Sequence, residues 1–329
     1  MPGGEVELQG SALQAAGDVL PKVSVGDVPA YLALSRPGRA VIRIPDGAIS
    51  GDVVLARGAS VSNPLELRVA VPMAESLHPI ANPAVDADGN VYATFSGGRG
   101  QSVPVSIFSI ARDFQVRPFV REILNASGLA FGPDGYLYVS SRAEGTVYRV
   151  SPEGAISTYA EGLGIATGIA FDAEGNLFVG DRSGTIFKVG PDKGPDADRE
   201  MFVVATLEPS IAAYHLAFND AGTLFVTGPT TSSNQSIYAI DRDGETSVFY
   251  QGLGRPQGLA FDVDGNLYVA ASLRGQRGIV RITPERQASL VVSGNNLVGL
   301  AFLEDGCATL ATKDALYHVA LDIEGRSLV

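Results

Sequence analysis

From about residue 78 onward the chain is built of short alternating runs of apolar and polar residues, each closed by a Gly, Asp, Asn or Pro turn. Residues 128–131, 136–140, 146–150 and 156–160 show the pattern, with Pro133-Asp-Gly135 and Pro152-Glu-Gly154 between them. Small, aromatic and β-branched residues in alternation, bounded by Asp-Gly or Glu-Gly, are what half-buried strands joined by tight hairpins require. The spacing predicts four antiparallel strands per unit, and the unit recurs. Gly128-Leu-Ala-Phe131, Gly168-Ile-Ala-Phe171, His215-Leu-Ala-Phe218, Gly258-Leu-Ala-Phe261 and Gly299-Leu-Ala-Phe302 each precede an acidic turn, and Asn82-Pro-Ala-Val85 is a degenerate sixth copy. Successive copies lie 40 to 47 residues apart, a period that marks a repeat architecture. One such sheet cannot bury both faces, so six must stack around an axis into a ring without long exposed edges. The predicted fold is all-β, with a six-bladed β-propeller over residues 73–329.

The first seventy residues follow another rhythm. Val23-Ser-Val-Gly-Asp-Val-Pro-Ala30, Ala40-Val-Ile-Arg-Ile-Pro-Asp-Gly47, Ser50-Gly-Asp-Val-Val-Leu55 and Asn63-Pro-Leu-Glu-Leu-Arg-Val69 read as short strands with turns between, suiting a small immunoglobulin-like β-sandwich over residues 1–72. The sixth blade is expected to end in a weak outer strand at 326–329, with 65–71 adding edge pairing where the two domains meet.

With 329 residues, 45% hydrophobic and 18% charged, the chain has room for one large module and one small one. Its formal net charge of −12 argues against a nucleic-acid or anionic-membrane partner, which needs a cationic face. The single cysteine, Cys307, cannot form an intramolecular disulfide, and no Cys/His zinc pattern occurs. No apolar run reaches the roughly 18 residues of a membrane-spanning helix, and the opening Met1-Pro-Gly-Gly lacks the regions of a secretory signal.

Without tryptophan, the chain does not fit the Trp-Asp propeller repeat. Pro256-Gln-Gly-Leu-Ala-Phe-Asp-Val-Asp-Gly-Asn-Leu-Tyr-Val269 instead resembles the NHL repeat, whose architecture is shared by the gluconolactonase and senescence-marker group, and the resemblance covers about residues 78–329. Ile44-Pro-Asp-Gly-Ala-Ile-Ser-Gly51 resembles the IPT/TIG immunoglobulin-like domain, and residues 2–10 look like that family's second strand, so that its first is missing. Such domains serve as spacers or adhesion modules in extracellular proteins, which implies an extracytoplasmic location. In gluconolactonase-like enzymes, acidic and amide side chains just before the repeat glycine hold a divalent ion that polarises the substrate. Here those positions are Ala81, Ser127, Thr167, Tyr214, Gln257 and Val298, none of them Asp, Glu or Asn, so neither a metal nor another cofactor is expected. Streptogramin lyase, another propeller enzyme, uses clustered histidines and a glutamate, and the scattered His78, His215 and His318 do not reproduce that cluster.

Candidate chemistry lies where the repeat is broken or decorated. The loops between second and third strands carry Arg99, Arg142, Arg182, Arg274, Arg277 and Lys313, and Arg255 precedes an innermost strand, all on the rim called the top. The opposite turns hold Asp86, Asp134, Asp172, Asp220, Asp262 and Asp305. Clustered guanidinium groups around a depression would attract a carboxylate or phosphate; the alternative is that they pair with neighbouring acids. Asn82 and His215 replace glycine in blades one and four, facing each other across the ring and toward the channel mouth. His215 is the catalytic candidate, as general base or ligand clamp, against the alternative that both residues only fill space. The candidate ligand-binding set is Asn82, Arg99, Ser127, Arg142, Thr167, Arg182, Tyr214, His215, Gln257 and Arg274. Asp86-Ala-Asp-Gly-Asn90 and Asp262-Val-Asp-Gly-Asn266 lack the EF-hand spacing and read as hairpin turns, and Gly97-Gly-Arg-Gly100 is not a phosphate loop but opens a possible lid over 96–104. Two function classes follow. One is a non-metal propeller binding a small anionic molecule, a glycan or a protein segment; the other is a lactonase-like or esterase-like hydrolase, or a lyase, with its site around His215.

Overall fold

The computed structural model describes residues 1–11, 13, 20–98, 100–191, 199–232 and 234–326. Its first seven strands are β1 (Glu5–Gln9), β2 (Lys22–Val25), β3 (Val28–Arg36), β4 (Arg39–Arg43), β5 (Gly51–Arg57), β6 (Ser60–Val61) and β7 (Leu65–Leu67). They form one antiparallel sheet in the order β1-β4-β3-β2-β5-β6, with β7 also paired to β5. The start of β3 pairs with β2 and the remainder with β4, across a register shift between Leu32 and Leu34. A bulge of this kind bends a strand. The expected sandwich is therefore realised as one curled sheet wrapped around Val23, Val25, Ile42, Ile44, Val53 and Leu55.

Six four-stranded antiparallel sheets follow, the blades of a propeller. Their innermost strands, in blade order, are Ala84–Val85, Ala126–Phe131, Ala166–Phe171, His215–Phe218, Leu259–Phe261 and Leu297–Phe302. Each lies beside the next and the sixth beside the first, so the ring is closed. The repeated phrase is explained by the packing. A Cβ on Gly128 would collide with the Thr167 carbonyl oxygen of the next blade, and one on Gly168 with that of Tyr214, so glycine sets the close approach of neighbouring inner strands. The alanine leaves room for an aromatic ring on the adjacent strand, as in the pairs Ala130↔Tyr138 and Ala217↔Phe225. The closing phenylalanine meets the corresponding ring of the preceding blade. Tyr92–Phe131, Tyr138–Phe171, Phe178–Phe218, Phe225–Phe261 and Tyr268–Phe302 all pack edge-on with centroids 4.7 to 5.3 Å apart. This is the favoured geometry of aromatic pairs. The interface between blades six and one has no such pair, since Thr309 and Val85 stand at the two positions and Thr309 Oγ1 instead approaches Met73 Sδ at 3.3 Å.

That exception coincides with ring closure. The outer strand of blade six is β8 (Val71–Glu75), paired antiparallel with Ala315–Ala320 in the register Glu75↔Ala315 to Val71↔His318. It replaces the outer strand expected at 326–329, of which Ser327, Leu328 and Val329 lie outside the described residues. Nor does 65–71 act as one edge, because β7 belongs to the curled sheet and only Val71 joins the strand pairing of blade six. The chain before the described C-terminus instead crosses under blades four and five, where Arg326 bonds the Phe218 and Phe261 carbonyls and pairs with Asp220 at 2.8 Å. The curled sheet docks on blades five and six. Glu5 N donates to Ser293 Oγ at 2.9 Å, Asn295 Nδ2 to the Gly3 carbonyl at 3.2 Å, and Arg68 pairs with Asp322. Among the described residues no helix is long and apolar enough to cross a membrane.

Candidate functional site

Antiparallel order within each blade places the loops after the second strands, and those leading into the innermost strands, on one face. The hairpin turns after the first and third strands lie on the opposite face. Asp86, Asp172 and Asp262 on this bottom face are consumed by their own turns: Asp86 accepts from the Asp88 and Asn90 amides, the Asn90 side chain and the Tyr92 hydroxyl, and Asp262 repeats the pattern with Asn266 and Tyr268. The two calcium-loop look-alikes are thus hairpin turns. Five cations on this side are also neutralised, in the pairs Arg112–Glu304, Arg149–Asp134, Lys188–Asp172, Arg242–Glu174 and Arg326–Asp220.

The top face differs. Among the described residues Arg142 donates only to the Gly97 carbonyl at 3.0 Å and Arg182 only to the Ile211 carbonyl at 3.1 Å, with the Arg182 Nε buried and unpartnered. Partial burial and then the nearby Arg182 charge push the Arg142 guanidinium below its ordinary range. Among the described residues Arg255, Arg274 and Arg277 make no side-chain hydrogen bond or ion pair, and only Lys313 has a carboxylate, Asp314 at 2.8 Å. Arg99 lies outside the described residues. The loop that carries it is tied to blade two, since Asn125 Nδ2 donates to the Gly97 and Gly98 carbonyls at 3.2 and 2.9 Å, and the Gly100 amide to Asn125 Oδ1 at 2.7 Å.

Along the axis most of the candidate side chains turn onto backbone. Asn82 reaches across the ring, donating to the Leu259 carbonyl at 2.8 Å and accepting from the Leu300 amide at 3.2 Å, so it bridges blade one to blades five and six. Ser127 bonds the Asn125 carbonyl at 3.1 Å, Thr167 the Gly180 carbonyl at 2.8 Å, and the Tyr214 hydroxyl the Glu208 carbonyl. His215 was expected at the channel mouth but is only 2% exposed, and its Nε2 has no partner. Desolvation drives its pKa down to about 3. Neutral and enclosed, the imidazole is shut off from the solvent-facing position a general base needs. His78 sits exposed before blade one, its Nδ1 on the Ser96 carbonyl, and His318 packs against Phe114 in blade six, so the three histidines remain dispersed.

A cavity of about 210 Å³ opens between the tops of blades five and six, lined by Arg255, Gln257, Ser272, Arg277, Asn296 and Lys313 among others. Of the predicted ligand-binding set only Gln257 lines it, while Arg274 stands on the neighbouring loop between Leu267–Leu273 and Gln276–Ile282. Ser272 and Asn296 are not singled out by the sequence reading. Their signal is faint: Gly254, Gly278, Gly294, Ala270 and Ala271 concentrate small side chains around one blade top, which hollows it.

No family model matches the chain, and no curated protein matches it in sequence. Solved structures do match in fold. An auxiliary nutrient binding protein from Bacteroides ovatus is similar with a TM-score of 0.59 at 13% identity, over 97% of this chain and 94% of that one. A putative gluconolactonase gives 0.57 at 18% identity, over 78% and 93%. The virginiamycin B lyase from Staphylococcus aureus gives 0.53 at 14%, over 96% and 99%. At these identities the likeness establishes the propeller, shared by binding proteins and enzymes alike.

Proposed function

We propose that this protein is a ligand-binding propeller that takes up a small anionic molecule on its top face. One observation carries the reading: five cations on the bottom are paired with carboxylates, Arg286 being an exception, whereas Arg142, Arg182, Arg255, Arg274 and Arg277 on the top have none among the described residues. Unpaired guanidinium groups gathered on one face of a chain with net charge −12 are an unspent attraction for an anion. The likeness to nutrient binding proteins, which extends through the N-terminal sheet, is in keeping with uptake of a small molecule. In this reading the NHL-like repeat is the scaffold and the IPT/TIG-like segment a spacer buttressing blades five and six. The hydrolase or lyase alternative gains nothing from His215, whose imidazole is enclosed and neutral. Calorimetric titration with a panel of small carboxylates and phosphates against neutral sugars tests the proposal at low ionic strength. Anions are expected to bind and to raise the melting temperature by mass action. A panel in which no anion binds, or in which neutral sugars bind as well, would overturn it.

A further inference from the structure

We propose that the cavity between blades five and six is the seat of this ligand and selects a small organic dianion, an inference that rests on the top-face reading. The space exists because the blade interface lacks a plug. Where blades three and four meet, the residue before the repeat position is Tyr214, whose ring packs against Gly180 and Gly228. Where blades five and six meet that residue is Val298, which lines the cavity with Gln257, Ala270, Ala271 and Gly278.

The lining is chemically prepared for a guest. Gln257 is only 8% exposed, and among the described residues its side-chain amide makes no hydrogen bond within the chain, so it is open to a partner in the cavity it lines. Ser272 Oγ and the Asn296 side chain are likewise without partners among the described residues. Arg255 and Arg277 of blade five and Lys313 of blade six bring positive charge from two sides, and no carboxylate lines the cavity. Asp314 lies beside it, engaged with Lys313 where both side chains are more than half exposed. Arg255 and Asn296 hold their places with left-handed backbone, at φ 48° and 58°.

Cations on opposite walls and amide and hydroxyl groups between them match a guest with two negative charges and a short polar body. At about 210 Å³ the space falls below the roughly 300 to 1000 Å³ of pockets for drug-sized molecules. The guest is correspondingly small, a dicarboxylate or a phosphate ester.

Titration of the full chain with malonate, inorganic phosphate, acetate and glycerol at about pH 8 tests this. Malonate or phosphate is expected to bind at least about tenfold more tightly than acetate, and the stronger of the two tells dicarboxylate from phosphate chemistry. Losing a charge-assisted contact in Arg277→Ala or Lys313→Ala should weaken binding by about tenfold or more, and Gln257→Leu by about fivefold. Arg277 and Lys313 are exposed, so their variants fold even if the buried Gln257 substitution does not. Affinity unchanged in Arg277→Ala and Lys313→Ala but lost in Arg142→Ala or Arg182→Ala would move the ligand to the channel mouth, overturning the cavity while sparing the top-face reading. Equal binding of acetate and malonate would overturn the dianion preference, and binding of none of the anions would remove both proposals together.

Discussion

His215 stands where four of the other five innermost strands keep glycine, and its burial makes it a proton-linked liability. The folded imidazole stays neutral down to about pH 3, whereas in an unfolded chain it takes up a proton near pH 6.5. Between those values the unfolded state binds more protons. The contribution of neutral His215 is therefore complete above about pH 6.5 and is lost as pH falls toward 3, at about 1.4 kcal/mol per pH unit. His215→Gly restores the repeat and is expected to fold with a flatter acid limb. Urea unfolding of both proteins at about pH 7.5, 5.5 and 4.5 measures this, and parallel limbs would mean that the imidazole is hydrated. The reverse exchange is less forgiving. Gly128→Ala drives a methyl group into the Thr167 carbonyl of the next blade and should cost about 1 to 3 kcal/mol or more by the same unfolding assay.

Blade six borrows its outer strand from a segment that precedes blade one, and Met73 at its centre is 7% exposed against Ala311 and Leu316. Met73→Ala is expected to lower stability by about 2 to 5 kcal/mol, read as a shift of the urea midpoint with unchanged slope. A loss below about 1 kcal/mol would mean that the ring stays shut without this packing. The five copies of the repeat phrase, four of them with the glycine, made the blades legible, because each residue of Gly-Leu-Ala-Phe has a separate packing duty that recurs at most of the blade interfaces. The closing strand carries no such phrase. Val71-Pro-Met-Ala-Glu75 pairs with residues some 240 positions away, and nothing local marks such a partner. The bend in β3 was hidden for a similar reason, since a one-residue register shift leaves no compositional trace. At the site, charge was legible in the arginine-bearing top loops. The cavity was not, because it arises from what small side chains fail to fill.

Taken whole, the molecule separates its charges: carboxylates are engaged in the turns and ion pairs of one face, and guanidinium groups without a carboxylate partner among the described residues stand on the other. An anion approaching a protein of net charge −12 is repelled at long range and drawn in only near the top, so screening acts on both terms unequally. Raising ionic strength from about 0.01 M to about 0.15 M shortens the Debye length from about 30 Å to about 8 Å. Malonate affinity should fall several-fold over that range, as titration at each salt level will show; a rise would mean that the overall negative charge governs the encounter.

The borrowed strand also sets a clock on biogenesis. During synthesis β8 emerges early, and its partner Ala315–Ala320 follows only after about 240 further residues, roughly 10 to 50 s at 5 to 20 residues per second. Throughout that interval the nascent chain holds an apolar edge with no mate, and blades one to five accumulate as an open arc. Pro72 cannot donate a backbone hydrogen bond, which blunts that edge against pairing with another chain. The ring becomes a single cooperative object only when its oldest strand meets its youngest.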